Sequence, residues 1–102
     1  MIIYGFITFE WDDEKAESNL EKHGVSFDEA STVFYDPHAL VIDDDERSYD
    51  ENRFIIVGLS ATTRVLTVCH CYRETNEVIR IISARRATKN EENAYWRRRN
   101  EG

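Results

Sequence analysis

Residues 77 to 99 read EVIRIISARRATKNEENAYWRRR, an apolar run that ends in two arginines just ahead of a helix signal. The alternation from Glu77 to Ser83 predicts a strand. Thr88 and Glu91 have the S/T-x-x-E spacing of a capping box, so a helix is expected from Lys89, with Arg85 and Arg86 just upstream of its positive end. Arginines beside a helix N-terminus suit an anion, and phosphate is the natural ligand.

Working upstream, Arg53 to Leu59 and Arg64 to Tyr72 read as two further strands, joined to each other and to Glu77 by the short loops SATT and ETN. Short connections between neighbours imply an antiparallel meander. Ile2 to Trp11 is apolar and aromatic and should form a first strand. Asp12 then suits the N-cap of a helix over Asp13 to Lys22, closed by Gly24 in the left-handed conformation, with Ala16, Leu20 and His23 on one face. Ser26 and Glu29 repeat the capping-box spacing, and Phe27, Ala30, Val33 and Phe34 supply the apolar stripe of a second helix that Pro37 ends. Ala39 to Ile42 is a short strand, and Asp43 to Asn52 (DDDERSYDEN) is a polar loop that lacks the ligand spacing and central glycine of a calcium loop. The expected class is α+β: an antiparallel sheet of about four to five strands, two N-terminal helices on one face, and a C-terminal helix. At 102 residues, with one proline and no repeats, residues 1–102 should form a single domain.

Register decides which side chains share a face. If Leu59 faces Arg64 and Tyr72 faces Val78, then Arg53, His70 and Arg80 fall in one row with Tyr72 on the same side. The opposite face then carries Phe54, Ile56, Cys69, Cys71, Ile79 and Ile81 and should receive the helices. A slip of one residue in either hairpin breaks the row.

The formal net charge is −7, but it is unevenly distributed: residues 1 to 51 hold 15 acids and 3 bases, whereas residues 52 to 102 hold 5 acids and 10 bases. This asymmetry fits either a polyanion-binding face on an acidic scaffold or two halves that neutralise each other. No run approaches the roughly 20 apolar residues that cross a bilayer, and the N-terminus lacks signal-peptide features, so a cytoplasmic protein with no membrane partner is expected. Cys69 and Cys71 lie two apart on one strand, a Cα separation of about 7 Å that disfavours a disulfide. His70 between them points the other way and no second ligand pair exists, so neither zinc nor any cofactor is implied.

Trp11-Asp12, Lys15, the run Asn19-Leu20-Glu21-Lys22-His23-Gly24, Val25 to Ala30, Arg53-Phe54 with Gly58, and EVIRIISARRAT from Glu77 to Thr88 together resemble the BrnT family of bacterial toxins. The resemblance spans Phe9 to Trp96. It implies a RelE-like fold and an endoribonuclease that arrests growth until bound by a BrnA-like antitoxin, a ribbon-helix-helix protein that carries the pair to operator DNA. Toxins of this type are usually basic. The acidity of this chain means either that RNA is engaged only along the C-terminal half or that catalysis is weakened.

Metal-independent RNA cleavage needs a base for the 2'-hydroxyl, an acid for the leaving 5'-oxygen, and cations around phosphorus. His23 is the first candidate for proton transfer because histidine titrates near neutrality, although it could equally bond a terminal helix carbonyl. Lys22 could hold a phosphate or simply complement the helix dipole. Arg80 interrupts an apolar alternation, which argues for an open face, and Arg53 shares that argument. His70 and Tyr72 join them on register as substrate-binding candidates.

Arg85 is carried over from the family signature, and Arg86 points to the opposite side if the strand continues. Glu77 is a further catalytic candidate, but lies about 26 Å from Arg85 along an extended strand. Two other readings stand beside the ribonuclease. One is a non-catalytic module whose basic sheet face docks an antitoxin-like protein, and the other is a metal-dependent hydrolase using Asp43 to Glu46.

Overall fold

Strong local signals produce the expected helices. In the computed structural model, which describes residues 3–4, 7–43, 53–73 and 77–101, the Asp12 carboxylate accepts from the backbone N–H groups of Glu14 and Lys15 at 2.9 and 3.1 Å and starts helix α1, Asp13–His23. Gly24 ends it at φ 67°, its N–H donating to the Leu20 carbonyl at 2.9 Å. Glycine carries no steric cost in that left-handed conformation. Ser26 caps α2, Phe27–Thr32, by accepting from Glu29 N–H at 3.0 Å. The expected stripe then continues through a single 3-10 turn, Val33–Tyr35, rather than through a longer α-helix.

Strands β1 (Ile3–Tyr4), β2 (Ile7–Glu10), β3 (Leu40–Asp43), β4 (Arg53–Leu59), β5 (Val65–Arg73) and β6 (Val78–Arg86) form one sheet in the order β1-β2-β6-β5-β4-β3. Helix α3, Lys89–Glu101, follows. The α+β class and the strands β3 to β6 are as expected, but the single first strand read over Ile2 to Trp11 is divided into β1 and β2, which pair antiparallel with Ile3 opposite Thr8 and Tyr4 opposite Ile7. The polar loop read from Asp43 to Asn52, including Asp44 to Glu46 of the metal-hydrolase reading, lies outside the described residues after Asp43.

Three expectations need correction. The sheet is mixed rather than antiparallel, because β2 runs parallel to β6 with Thr8, Phe9 and Glu10 opposite Val78, Ile79 and Arg80. Two helices and three strands separate these partners, and a long crossover permits a parallel pairing that no local pattern specifies. The helices also do not share one face. Phe27, Ala30 and Val33 of the first layer pack with Phe9, Ile56, Leu66, Val68, Ile79 and Ile81, whereas Tyr95 of α3 packs with Val57 and Val65 on the other side.

The third correction concerns register. Leu59 pairs with Val65 and Tyr72 with Ile79, each one residue beyond expectation. The β4–β5 loop is longer than SATT: Ser60 N–H bonds the Arg64 carbonyl at 2.8 Å, and Thr63 takes the turn at φ 64°. The two slips compensate. Arg53 and Arg80 stay aligned while β5 slides between them, so Cys71 occupies the place expected for His70. Cys69 and Cys71 thus share the face of Arg53, and His70 and Tyr72 move to the helix side.

Candidate functional site

The register assembles a row across four strands: Glu10 on β2, Arg80 on β6, Cys71 on β5 and Arg53 on β4. Directly opposed residues project from the same face, and Arg53 and Arg80, two strands apart, are separated by about 10 Å at their Cα atoms. Cys71 between them is 1% exposed. The Arg80 side chain remains 30% exposed and within reach of a ligand.

A bulge brings Arg85 to this same face. Between Cys69, which pairs with Ser83, and His70, which pairs with Ile81, strand β6 carries one extra residue, Ile82. Strict alternation would set Arg80 and Arg85 on opposite faces. The extra residue reverses the parity, so Arg85 opposite Thr67 lies on the side of Arg80, and Ser83 between them is exposed. The two arginines are about 13 Å apart along the strand.

Arg85 is held by α3. Its Nη1 and Nη2 donate to the two Glu91 oxygens at 2.7 and 3.0 Å. Glu91 also completes the expected capping box, accepting from Thr88 N–H at 2.8 Å while its own N–H donates to the Thr88 hydroxyl at 3.2 Å. The Thr67 hydroxyl donates to Glu91 Oε1 at 2.9 Å. The Arg85 hydrogen bonds outweigh burial and, with those from Thr88 and Thr67, lower the Glu91 pKa to about 2. The carboxylate is therefore a fixed anion that orients Arg85.

Glu10 was not singled out from the sequence. Its Oε1 lies 3.8 Å from Arg80 Nη1 and 3.7 Å from Arg73 Nε, and it has no hydrogen bond among the described residues. Only its pairing with a strand seventy residues away reveals it.

The other candidates lie elsewhere. His70 is completely buried on the helix side, with Phe34, Phe54 and Tyr72 around its ring at centroid distances of 4.8, 6.0 and 5.6 Å. Burial pushes its pKa down to about 4, against a weak 3.4 Å bond between Nδ1 and the Val68 carbonyl. The expected row of Arg53, His70 and Arg80 is thus corrected at its centre. Tyr72 is 41% exposed but shares the face of His70.

His23 and Lys22 are exposed at the C-terminal end of α1. That helix is on the far side of the sheet from Arg80, anchored by Asn19, which donates to the Ala84 carbonyl at 2.8 Å. Arg86 pairs with the core residue Leu66 and faces the same helix side. Glu77 sits in the turn before β6, its carbonyl accepting from Thr8 N–H at 2.8 Å. Among the described residues no group of three His, Cys, Asp or Glu side chains gathers where it could hold a metal ion.

A small α+β domain with guanidinium groups on a sheet face defines a class that comparison with known proteins makes specific: residues 11–91 match a model of type II toxin-antitoxin toxins. Within that class the chain belongs to the family described as ribonuclease toxin, BrnT, of type II toxin-antitoxin system. The fold is similar to that in the 1.1 Å crystal structure of the Brucella abortus ribonuclease toxin BrnT, with a TM-score of 0.62 at 22% identity over 81% of this chain and 99% of that one. No curated protein sequence matches the chain. Among the described residues no helix is long and apolar enough to cross a membrane.

Proposed function

We propose that the chain is a growth-arresting endoribonuclease that cleaves RNA without a metal ion, by attack of a ribose 2'-hydroxyl on the adjacent phosphorus. Family membership supports the ribonuclease class. The observation that carries the mechanism is the gathering of Arg53, Arg80 and Arg85 on one sheet face.

In the transesterification, negative charge accumulates on the non-bridging phosphate oxygens. Guanidinium groups stabilise that charge through paired hydrogen bonds. Arg80 and Arg53 hold the reacting phosphate from either side of Cys71. Arg85 uses only part of its five N–H donors on Glu91, leaving capacity for the phosphate of a flanking nucleotide. Lys22 and His23 at the end of α1 and Arg86 on the same side of the sheet are assigned to binding RNA beyond the cleavage point. Glu77 closes the β5–β6 turn.

The chain works in the cytoplasm and is neutralised by a BrnA-like ribbon-helix-helix antitoxin, through which alone it reaches operator DNA. The test is cleavage of a labelled, partly single-stranded RNA by the partner-free chain in EDTA at low salt. Products with 2',3'-cyclic phosphate ends are expected, with Arg80→Ala slowing the reaction by roughly 100-fold or more and Arg85→Ala doing likewise, in both cases without loss of fold. Variants as active as the unmodified chain would place the chemistry elsewhere. Intact RNA alongside a stable antitoxin complex would select the non-catalytic docking module.

A further inference from the structure

We propose that Glu10 is the general base of this reaction, accepting the proton of the attacking 2'-hydroxyl. The inference rests on the ribonuclease reading above and deepens it by naming a catalytic residue outside the matched stretch of residues 11–91.

Position comes first. Glu10 stands directly opposite Arg80 in the parallel β2–β6 pairing, on the face that also carries Cys71 and Arg53. A phosphate held by Arg80 brings the ribose 2'-hydroxyl on the carbon next to its 3'-oxygen. The carboxylate beside that guanidinium is then the acceptor within reach, and its side chain is 33% exposed, so a ribose can approach it.

The state of the carboxylate comes second. Glu10 Oε1 is shielded from solvent and accepts no hydrogen bond among the described residues; both neighbouring cations lie beyond hydrogen-bond distance. Glu29 and Glu91 differ in this respect. Glu29 is tied to Arg64, Ser60 and Thr62, and Glu91 to Arg85, Thr67 and Thr88, so their lone pairs are committed. No such bond commits Glu10 Oε1, and Arg80 turning from it to the phosphate uncovers that oxygen for the 2'-hydroxyl.

The alternatives on the molecule are worse placed. His70 is sealed in the helix-side core, and His23 is on the other side of the sheet from Arg80. Cys71 is in the row but 1% exposed.

The step balances. Glu10 takes the 2'-hydroxyl proton as the 2'-oxygen forms a bond to phosphorus, the bond from phosphorus to the 5'-oxygen breaks, and that oxygen leaves with a proton from solvent. The products are a 2',3'-cyclic phosphate and a 5'-hydroxyl. No oxidant, reductant or further reactant is consumed.

The experiment compares Glu10→Gln and Glu10→Asp with the unmodified chain on naked RNA and on ribosome-bound messenger. Folding is checked by thermal melting, and binding is measured with an RNA whose cleavage site carries a 2'-deoxy sugar. The expected result is a fall of roughly 100-fold or more in cleavage for Glu10→Gln, with the uncleavable RNA bound as tightly as before. The acidic limb of the pH–rate profile should disappear in Glu10→Gln and persist in Glu10→Asp. Two results overturn the inference: cleavage by Glu10→Gln within a few-fold with an unchanged pH profile, or a loss of binding equal to the loss of cleavage, which would make Glu10 a positioning residue for Arg80 and Arg73. If the unmodified chain cleaves neither substrate, the ribonuclease reading fails and takes this one with it.

Discussion

At the scale of single residues, His70 is a buried base in an aromatic cage. Its Nε2 has no hydrogen-bond partner among the described residues, and burial lowers its pKa to about 4 from an ordinary 6.5. The folded state therefore favours the neutral ring. The resulting pH dependence is stability that is complete above 6.5 and falls as pH drops from 6.5 to 4, by about 3 kcal/mol in all. Glu29 and Glu91 act in a lower window. Their hydrogen bonds to Arg64 and Arg85 hold each near a pKa of about 2 against 4.5 ordinarily, so their contribution is present above 4.5 and lost towards 2. Both carboxylates sit at the surface edge with 12% and 27% of the side chain exposed, and solvent screening there leaves each about 1 kcal/mol. Urea denaturation at a series of pH values should show two descending steps, and His70→Leu should remove the upper one.

At the scale of elements, a few polar side chains fasten helices to the sheet. Asn19 is 7% exposed and bridges three backbone groups, donating to Val25 and Ala84 carbonyls and accepting from Ala84 N–H. Asn19→Ala strands those groups and should cost about 3 kcal/mol. On the other side, the Tyr95 hydroxyl of α3 donates to Asp36 Oδ2, which also accepts from Leu59 N–H at 2.8 Å, and Arg99 donates to the Tyr95 oxygen at 2.7 Å. Tyr95→Phe should lower stability by about 1 to 2 kcal/mol and loosen α3. A chemical denaturation midpoint measures both. Gly58 belongs to the same scale: a Cβ there would meet the Val33 carbonyl and the Ala39 Cβ at 3.2 Å, which explains a glycine inside β4. The bulge at Ile82 is the element that matters most for chemistry, since it brings Arg85 round to the face of Arg80.

At the scale of the molecule, a net charge of −7 repels RNA, so attraction must come from a local face. If Arg53 and Arg80 neutralise the reacting phosphate and Arg85 a flanking one, two phosphates of a single strand are covered, and the logarithm of affinity should fall with the logarithm of salt at a slope of about −1.4. Between 50 and 200 mM salt that amounts to a weakening of roughly 7-fold. Binding of an uncleavable RNA in a salt titration measures the slope, and Arg85→Ala should reduce it by about 0.7. A flat dependence would mean that this face is not where RNA sits.

The three capping sites, the glycine stop of α1, the α+β class and the meander of β4 to β6 were all legible in the chain. Each depends on residues within a few positions of one another: Asp12 with Glu14 and Lys15, Ser26 with Glu29, Thr88 with Glu91. The family was legible for a similar reason, because Lys22-His23-Gly24 and the run around Arg85 are contiguous. What the chain could not reveal was everything governed by strand parity over distance. One extra loop residue at Arg64 exchanged His70 for Cys71, and one extra strand residue at Ile82 reversed the side of Arg85. A helical crossover set Glu10 beside Arg80. Hydrophobic alternation fixes a strand's two faces relative to each other. Which residue then stands opposite which is a non-local outcome of packing, and here it selects the side chains that share the candidate site.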